Sequence, residues 1–270
     1  MEPTDPVPPA ERRWVGVDLS GAHFEDVDLS GATVRGAFLA DVKVSGAWLR
    51  DVDIDAKLER VVINGVDVST YVEAELDRRH PERTKLRPTD AAGFREAWSV
   101  IEAMWPPTIA RAEALPEAAL HARVDGEWSS VETLRHLVFA IDAWVRRAIV
   151  GAPDFHPWGL AHDEMPRELC ATCGLDPAAA PSFAEIVEVH AGRVAAVRAV
   201  LDRLSDGDLD RPGPPNPRAG YPDDPTEHVA RRGLRAVVEE EWEHHRFFTR
   251  DLAVLEARDG GDRTAAARGT

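Results

Sequence analysis

The chain has 270 residues, 44% of them hydrophobic, and a formal net charge of −16, which is enough length for one large or two modest domains and enough apolar material for a packed core. No run of about 18 apolar residues is present, so no membrane-spanning helix is expected, and the polar, proline-bearing N-terminus lacks the apolar stretch of a secretory signal. The acidic balance argues against direct nucleic-acid binding, while only two cysteines, Cys170 and Cys173, argue against a disulfide framework and fit a reducing, cytoplasmic compartment.

The first element in chain order is a repeat. Leu19, Phe24, Leu29, Val34, Leu39, Val44, Leu49 and Ile54 recur every five residues, and a small apolar residue precedes each by two positions, from Val17 to Val52. Neither a helix nor a flat strand has this period. The count slips by one after Ile54 and resumes at Leu58, Ile63 and Val68. Each unit reads as one face of a square coil, four units to a turn, with both apolar positions pointing inward so that stacked coils bury one column. Ser20-Gly21, Ser30-Gly31 and Ser45-Gly46 suit the corners. The runs Val17-Asp18-Leu19-Ser20-Gly21 and Val27-Asp28-Leu29-Ser30-Gly31 resemble the pentapeptide repeat family. That resemblance implies a right-handed quadrilateral β-helix over residues 14–70. Some longer acidic relatives imitate DNA, but nearly three turns are short for that, and a structural, lid-like, dimer-forming or protein-contacting role is the expectation.

Residues 71–89 read as a junction: a short helix from Tyr71 to Arg79 that caps the coil, then a basic, proline-punctuated linker from His80 to Pro88. Thr89-Asp90 starts the first of four amphipathic helices within residues 90–257. That helix runs to about Leu115, and Pro106-Pro107 should kink or interrupt it. The second spans about Ser129 to Val150, with Ser129 and Glu132 at capping-box spacing and Gly151 as its stop; the third spans about Ser182 to Leu204, with Ser182 and Glu185 likewise spaced. The fourth spans about Glu227 to Ala257. Four such helices with long connections predict an all-α four-helix bundle. The Gly-, Ala- and Arg-rich tail, residues 258–270, is expected to be disordered.

Chemistry-bearing residues cluster on the last helix, in Glu239-Glu240-Glu241-Trp242-Glu243-His244-His245. Residues four apart share a helix face, so Glu240 with His244, or Glu241 with His245, forms a carboxylate–imidazole chelate for a divalent metal, or else only a solvated acidic face. His136, inside an apolar run of the second helix, needs a partner for its ring nitrogens: a metal as third ligand, or simply a carboxylate. The segment Trp128-Ser129-Ser130-Val131-Glu132-Thr133-Leu134-Arg135-His136-Leu137, with Glu240-Glu241-Trp242-Glu243-His244 far downstream, is similar to the DinB/YfiT-like family over residues 90–256.

In that family one histidine of the second helix and a pair four apart on the last helix hold a metal. The mycothiol-dependent isomerase branch has Glu first in the pair. The resemblance implies His136, Glu240 and His244 as ligands, with Glu241 and His245 as the alternative pair, since the frame can slip by one. It implies zinc first, with nickel or iron as alternatives. It also implies a small-molecule substrate, a thiol-dependent transferase or isomerase or a hydrolase, a thiol such as mycothiol, and a homodimer. Asp142, Glu132 and His245 are candidates to support the ligands or carry protons. The loop from Gly151 to Pro181, with His156, Trp158, His162, Asp163 and Glu164, is either a lid over the metal or a connector. Cys170-Ala171-Thr172-Cys173 is a lone C-x-x-C without the second half of a zinc site, and the proline-rich stretch from Asp206 to Thr226 reads as a connector.

Overall fold

The computed structural model describes residues 13–162, 165–215, 220–222, 224 and 227–268, with side chains among these up to residue 261. Two units divide it, one through Lys57 and one from Leu58 onward.

In the first unit the five-residue period is written into the backbone. Gly16, Gly21, Asp26, Gly31, Gly36, Asp41, Gly46 and Asp51 all have φ between 52° and 75°, so every fifth residue turns the chain through the left-handed region. Glycine and aspartate are the residues that tolerate this conformation best. Ala22 and Ala32 donate to the carbonyls of Leu19 and Leu29, both at 2.9 Å, and Asp18 and Asp28 accept from the N–H groups of Ser20 and Ser30. The inward column does not form: Leu19 is 48% exposed and Leu39 66%. The physical reason is that, among the described residues of this unit, no backbone ladder joins one coil to the next, and repeats bury their apolar face only when neighbours stack.

The repeat also ends earlier than its apolar spacing suggests. Ile63 and Val68 belong to the second unit, where Val62–Ile63 (β1) pairs antiparallel with Val66–Asp67 (β2), Val62 opposite Asp67. Asn64 and Gly65, at φ 51° and 83°, supply the two left-handed positions that reverse the chain in a tight hairpin.

Ser69–Arg79 (α1) follows, and then a tight helical stretch, Pro81–Leu86. This stretch is not a loose linker. Arg83 and Arg87 both reach back to Asp77 of α1, at 2.8 and 2.9 Å, and His80 lies edge-on to Trp242 at 5.6 Å.

Among the described residues, four long helical elements contribute to the larger of two apolar clusters. Ala91–Ala112 (α2) begins at Asp90, whose side chain accepts from the N–H of Gly93. Pro106 and Pro107 lie on the exposed side of α2 and do not interrupt it. A one-turn helix, Glu117–Leu120 (α3), leads to Ser130–Ile141 (α4), which starts at the Ser129–Glu132 capping box. The helix then widens into a π-helical stretch, Asp142–Val150, closed by Gly151 at φ 79°. Short Arg167–Thr172 (α5) precedes Phe183–Leu201 (α6), which starts at the Ser182–Glu185 capping box. Asp206–Leu209 (α7) precedes Ala230–Arg268 (α8), which continues well past Ala257, so the stretch expected to be disordered is helical to Arg268. Phe94, Trp98 and Ile101 of α2, Leu134, Leu137 and Ile141 of α4, Ile186 and Val197 of α6 and Leu234 and Leu252 of α8 pack together almost fully buried, each side chain contributing roughly 1.5–3 kcal/mol of apolar burial.

A polar contact inside this core sets the rotation of α8. Glu241 is 0% exposed and accepts from Trp105 Nε1 of α2 at 2.6 Å and from His190 Nε2 of α6 at 2.9 Å. Beside it, His245 Nε2 lies 2.8 Å from Thr108 Oγ1, and the Trp105 ring stands edge-on to both histidines. Farther toward the N-terminal end of α8, Gly233 meets the π-helical stretch so closely that a Cβ there would sit 2.4 Å from the Trp144 carbonyl oxygen.

Glu241→Ala is expected to cost about 3 kcal/mol in urea unfolding, because it strands two buried donors; a loss below about 1 kcal/mol would contradict the anchoring role. Gly233→Ala should also destabilise, by about 1–3 kcal/mol, since a backbone collision outweighs the roughly 1 kcal/mol gain in helix propensity. An unchanged urea midpoint would show that the two segments separate at no cost.

Candidate metal centre

The capping box that starts α4 places His136 in its second turn, 6% exposed. Glu240 and His244 lie one turn apart on α8, on the face next to that of the Glu241 anchor, where Glu240 meets His136 of α4. His136 Nε2 is 3.3 Å from Glu240 Oε2, and His244 Nδ1 is 3.2 Å from the same oxygen. One donor atom from each of His136, Glu240 and His244 lies within 4.8 Å of the others, a group that could hold a metal ion.

The hydrogen bonds around the group select its protonation. His136 Nδ1 is 3.0 Å from the Leu160 carbonyl, which can only accept, so Nδ1 carries the proton and Nε2 turns its lone pair toward Glu240. A lone pair and a carboxylate oxygen 3.3 Å apart call for a cation between them, either a second proton on the ring or a metal. His244 Nδ1 likewise faces the Glu240 carbonyl at 3.0 Å, which leaves its Nε2 as the unprotonated nitrogen of the neutral ring. Burial pushes the Glu240 carboxyl upward, but the hydrogen bond with His136, and then the charge of that ring, bring it below the usual carboxylate value, so it stays anionic. Burial, and then the charge of His136, hold His244 below the usual imidazole value, so it stays neutral. An anionic oxygen and unprotonated imidazole nitrogens are the donor forms that a borderline divalent metal requires.

The surroundings are aromatic and held by the loop after Gly151. Trp128 lies 4.5 Å from the His136 ring and 5.9 Å from that of His244. Arg135, 4% exposed, donates to the carbonyls of Trp158 and Asp176 at 2.9 and 2.8 Å, and the N–H of Leu160 returns to the Arg135 carbonyl. The loop is thus fastened along α4 beside the group. Phe139, Phe155 and Tyr221 stack next to it, with His162 edge-on to Phe139 and Tyr221.

The other expected residues are engaged elsewhere. Glu132 holds the Ser129 cap and pairs with Arg123 at 2.6 Å. Asp142, 1% exposed, binds Arg146 and Arg193 at 2.8 and 2.7 Å and accepts from the His156 N–H. His245 and Glu241, the alternative pair, face Thr108, Trp105 and His190. Cys170 and Cys173 are both buried free thiols in a small apolar cluster with Phe139 and Phe155; burial pushes both pKa values up, away from reactive thiolate. Asp163 and Glu164 lie outside the described residues. Sequence reasoning gave no role to Trp128, His190 or the Leu160 carbonyl. His190 carried the same signal as His136, a histidine inside a buried helical stretch, whereas a backbone carbonyl carries none.

Among the described residues no helix is long and apolar enough to cross a membrane. Neither a curated protein nor a solved structure matches the chain. Pentapeptide repeats match in eight copies over residues 18–54, which lie within the unit that ends at Lys57. A family model described as the DinB superfamily matches residues 100–248, more than half of the 270 residues and a span that includes His136, Glu240 and His244. The chain belongs to the DinB superfamily.

Proposed function

We propose that the helical unit is a four-helix bundle enzyme that holds one divalent metal through His136, Glu240 and His244 and acts on a small molecule. The observation that carries this is the convergence of two imidazoles and a carboxylate, from α4 and α8, within 4.8 Å. Three protein donors leave room for a further ligand, the arrangement of a catalytic rather than a structural site. Zinc fits the two nitrogens and one oxygen best, with nickel or iron as alternatives. Such a metal lowers the pKa of a bound water or thiol. The reaction class that suits it is thiol-dependent transfer or isomerisation, with a small thiol such as mycothiol, or hydrolysis.

The chain's own residues have defined tasks in this reading. The Leu160 carbonyl fixes the His136 tautomer, and the Glu240 carbonyl does the same for His244. The Glu241 anchor holds the ligand face of α8 toward α4. Trp128 covers both imidazoles and limits their access to water.

A second reading concerns the repeats. Their periodic left-handed residues are the corners a quadrilateral coil needs, and Phe38 and Trp48 stand 94% and 92% exposed. Exposed aromatics at that density favour a protein-contacting surface over an inert spacer. In that case the chain is a scaffold whose metal, if held, has no catalytic task.

Elemental analysis of purified protein should find one metal per chain, and His136→Ala should lose it while keeping the helical circular dichroism; metal absent from both proteins would end the enzyme reading. A thiol-dependence screen on metal-loaded protein then separates the reaction classes. The metal-free protein should also weaken in mild acid. His156, His244 and His245 are all held below the ordinary imidazole pKa of about 6.5, each chiefly by burial. The unfolded chain therefore binds more protons than the folded one just below that pH, and stability falls as pH drops through it. Thermal melts from pH 7.5 to 5.5 should show a declining midpoint; a flat or rising one would contradict the assignment of neutral rings.

A further inference from the structure

We propose that His162 is the side chain that contacts an organic anion held at the His136–Glu240–His244 group. This rests on a metal being held there. Three observations place His162 for this task. First, the loop is fastened two residues earlier, where Leu160 binds His136 Nδ1 through its carbonyl and the Arg135 carbonyl through its N–H, both at 3.0 Å. Second, the His162 ring is set against Phe139 at 6.3 Å and Tyr221 at 5.4 Å, and Phe139 is itself 6.1 Å from the His136 ring. Third, His162 is not part of the group whose donor atoms converge within 4.8 Å. It borders the metal group without being a ligand of it.

The ring nitrogens of His162 have no hydrogen-bond partner among the described residues, although the side chain is half-buried. A half-buried imidazole in an aromatic setting gains by donating to something. Tyr221, half-buried and edge-on to His162 at 5.4 Å, offers an aromatic face to an apolar body. The ligand class that satisfies both features is a small anion, thiolate or carboxylate, on an aromatic or otherwise apolar frame. Its charged atom would accept from His162 and its body would lie on Tyr221.

Full-length protein loaded with cobalt(II) reports such binding through its visible absorption, with thiophenolate and benzoate as probes. His162→Leu should keep one cobalt per chain but bind the probe about tenfold more weakly, as expected for loss of one charge-assisted hydrogen bond. His162→Gln, which retains a donor, should restore affinity to within about threefold of wild type. A response to thiophenolate alone assigns a sulfur donor, and a response to benzoate alone an oxygen donor. Either supports the contact. The proposal is overturned if His162→Leu binds both probes as wild type does, if cobalt-loaded wild type binds neither, or if His162→Leu loses its cobalt, which would make His162 a ligand. Wild-type protein that takes up no cobalt overturns the metal reading and this one with it, an outcome distinct from loaded protein indifferent to position 162.

Discussion

A carboxylate sealed from water decides how the longest helix is turned. Glu241 accepts from Trp105 and His190, on two other helices, and a buried charge that lost these donors would be costly to keep. Successive helix residues point about 100° apart, so once Glu241 faces α2 and α6, Glu240 and His244 must face elsewhere, toward α4. The register of the His136–Glu240–His244 group is therefore set by a residue that is not in it. Two adjacent glutamates divide the work: one holds the helix and the next meets His136.

The second constraint is a backbone one. His136 has its proton placed by the Leu160 carbonyl, and Leu160 is held by the same short stretch of α4 through the Arg135 carbonyl. Arg135 itself reaches two further carbonyls of the loop. A guanidinium with several fixed donors suits the task of collecting backbone oxygens that would otherwise lie buried without partners. The loop after Gly151 is thus fastened beside the group, and its Phe155 stacks on Phe139 of α4. Asp142 secures the start of the π-helical stretch with two arginines and a backbone N–H.

The repeat unit obeys a different logic. Its period appears in backbone torsion, one left-handed residue in five, and not in a buried column. Local geometry needs only glycine or aspartate at the corners. Burial needs one coil to lie on the next, which is a long-range condition. The apolar residues consequently form an exposed, regularly spaced surface, with Phe38 and Trp48 its most prominent members.

The sequence by itself determined what depends on neighbours in the chain. The capping boxes at Ser129 and Ser182, the stop at Gly151, the corners of the repeat and the pairing of Glu240 with His244 on one face all follow from spacing and side-chain chemistry. The Asn64-Gly65 turn was equally local, but the apolar count running through it hid it. Tertiary structure alone decided which of the two acid–histidine pairs meets His136, because a one-residue shift of frame leaves the helical pattern intact and only the partners on α2 and α6 distinguish Glu240 from Glu241. It also decided the fate of Glu132, Asp142 and His245, whose carboxylates and ring are taken by a cap, by arginines and by a threonine distant in sequence. The role of the Leu160 carbonyl was invisible beforehand for the plainest reason: every residue but proline offers the same backbone groups, and only the folded chain says which of them faces a histidine.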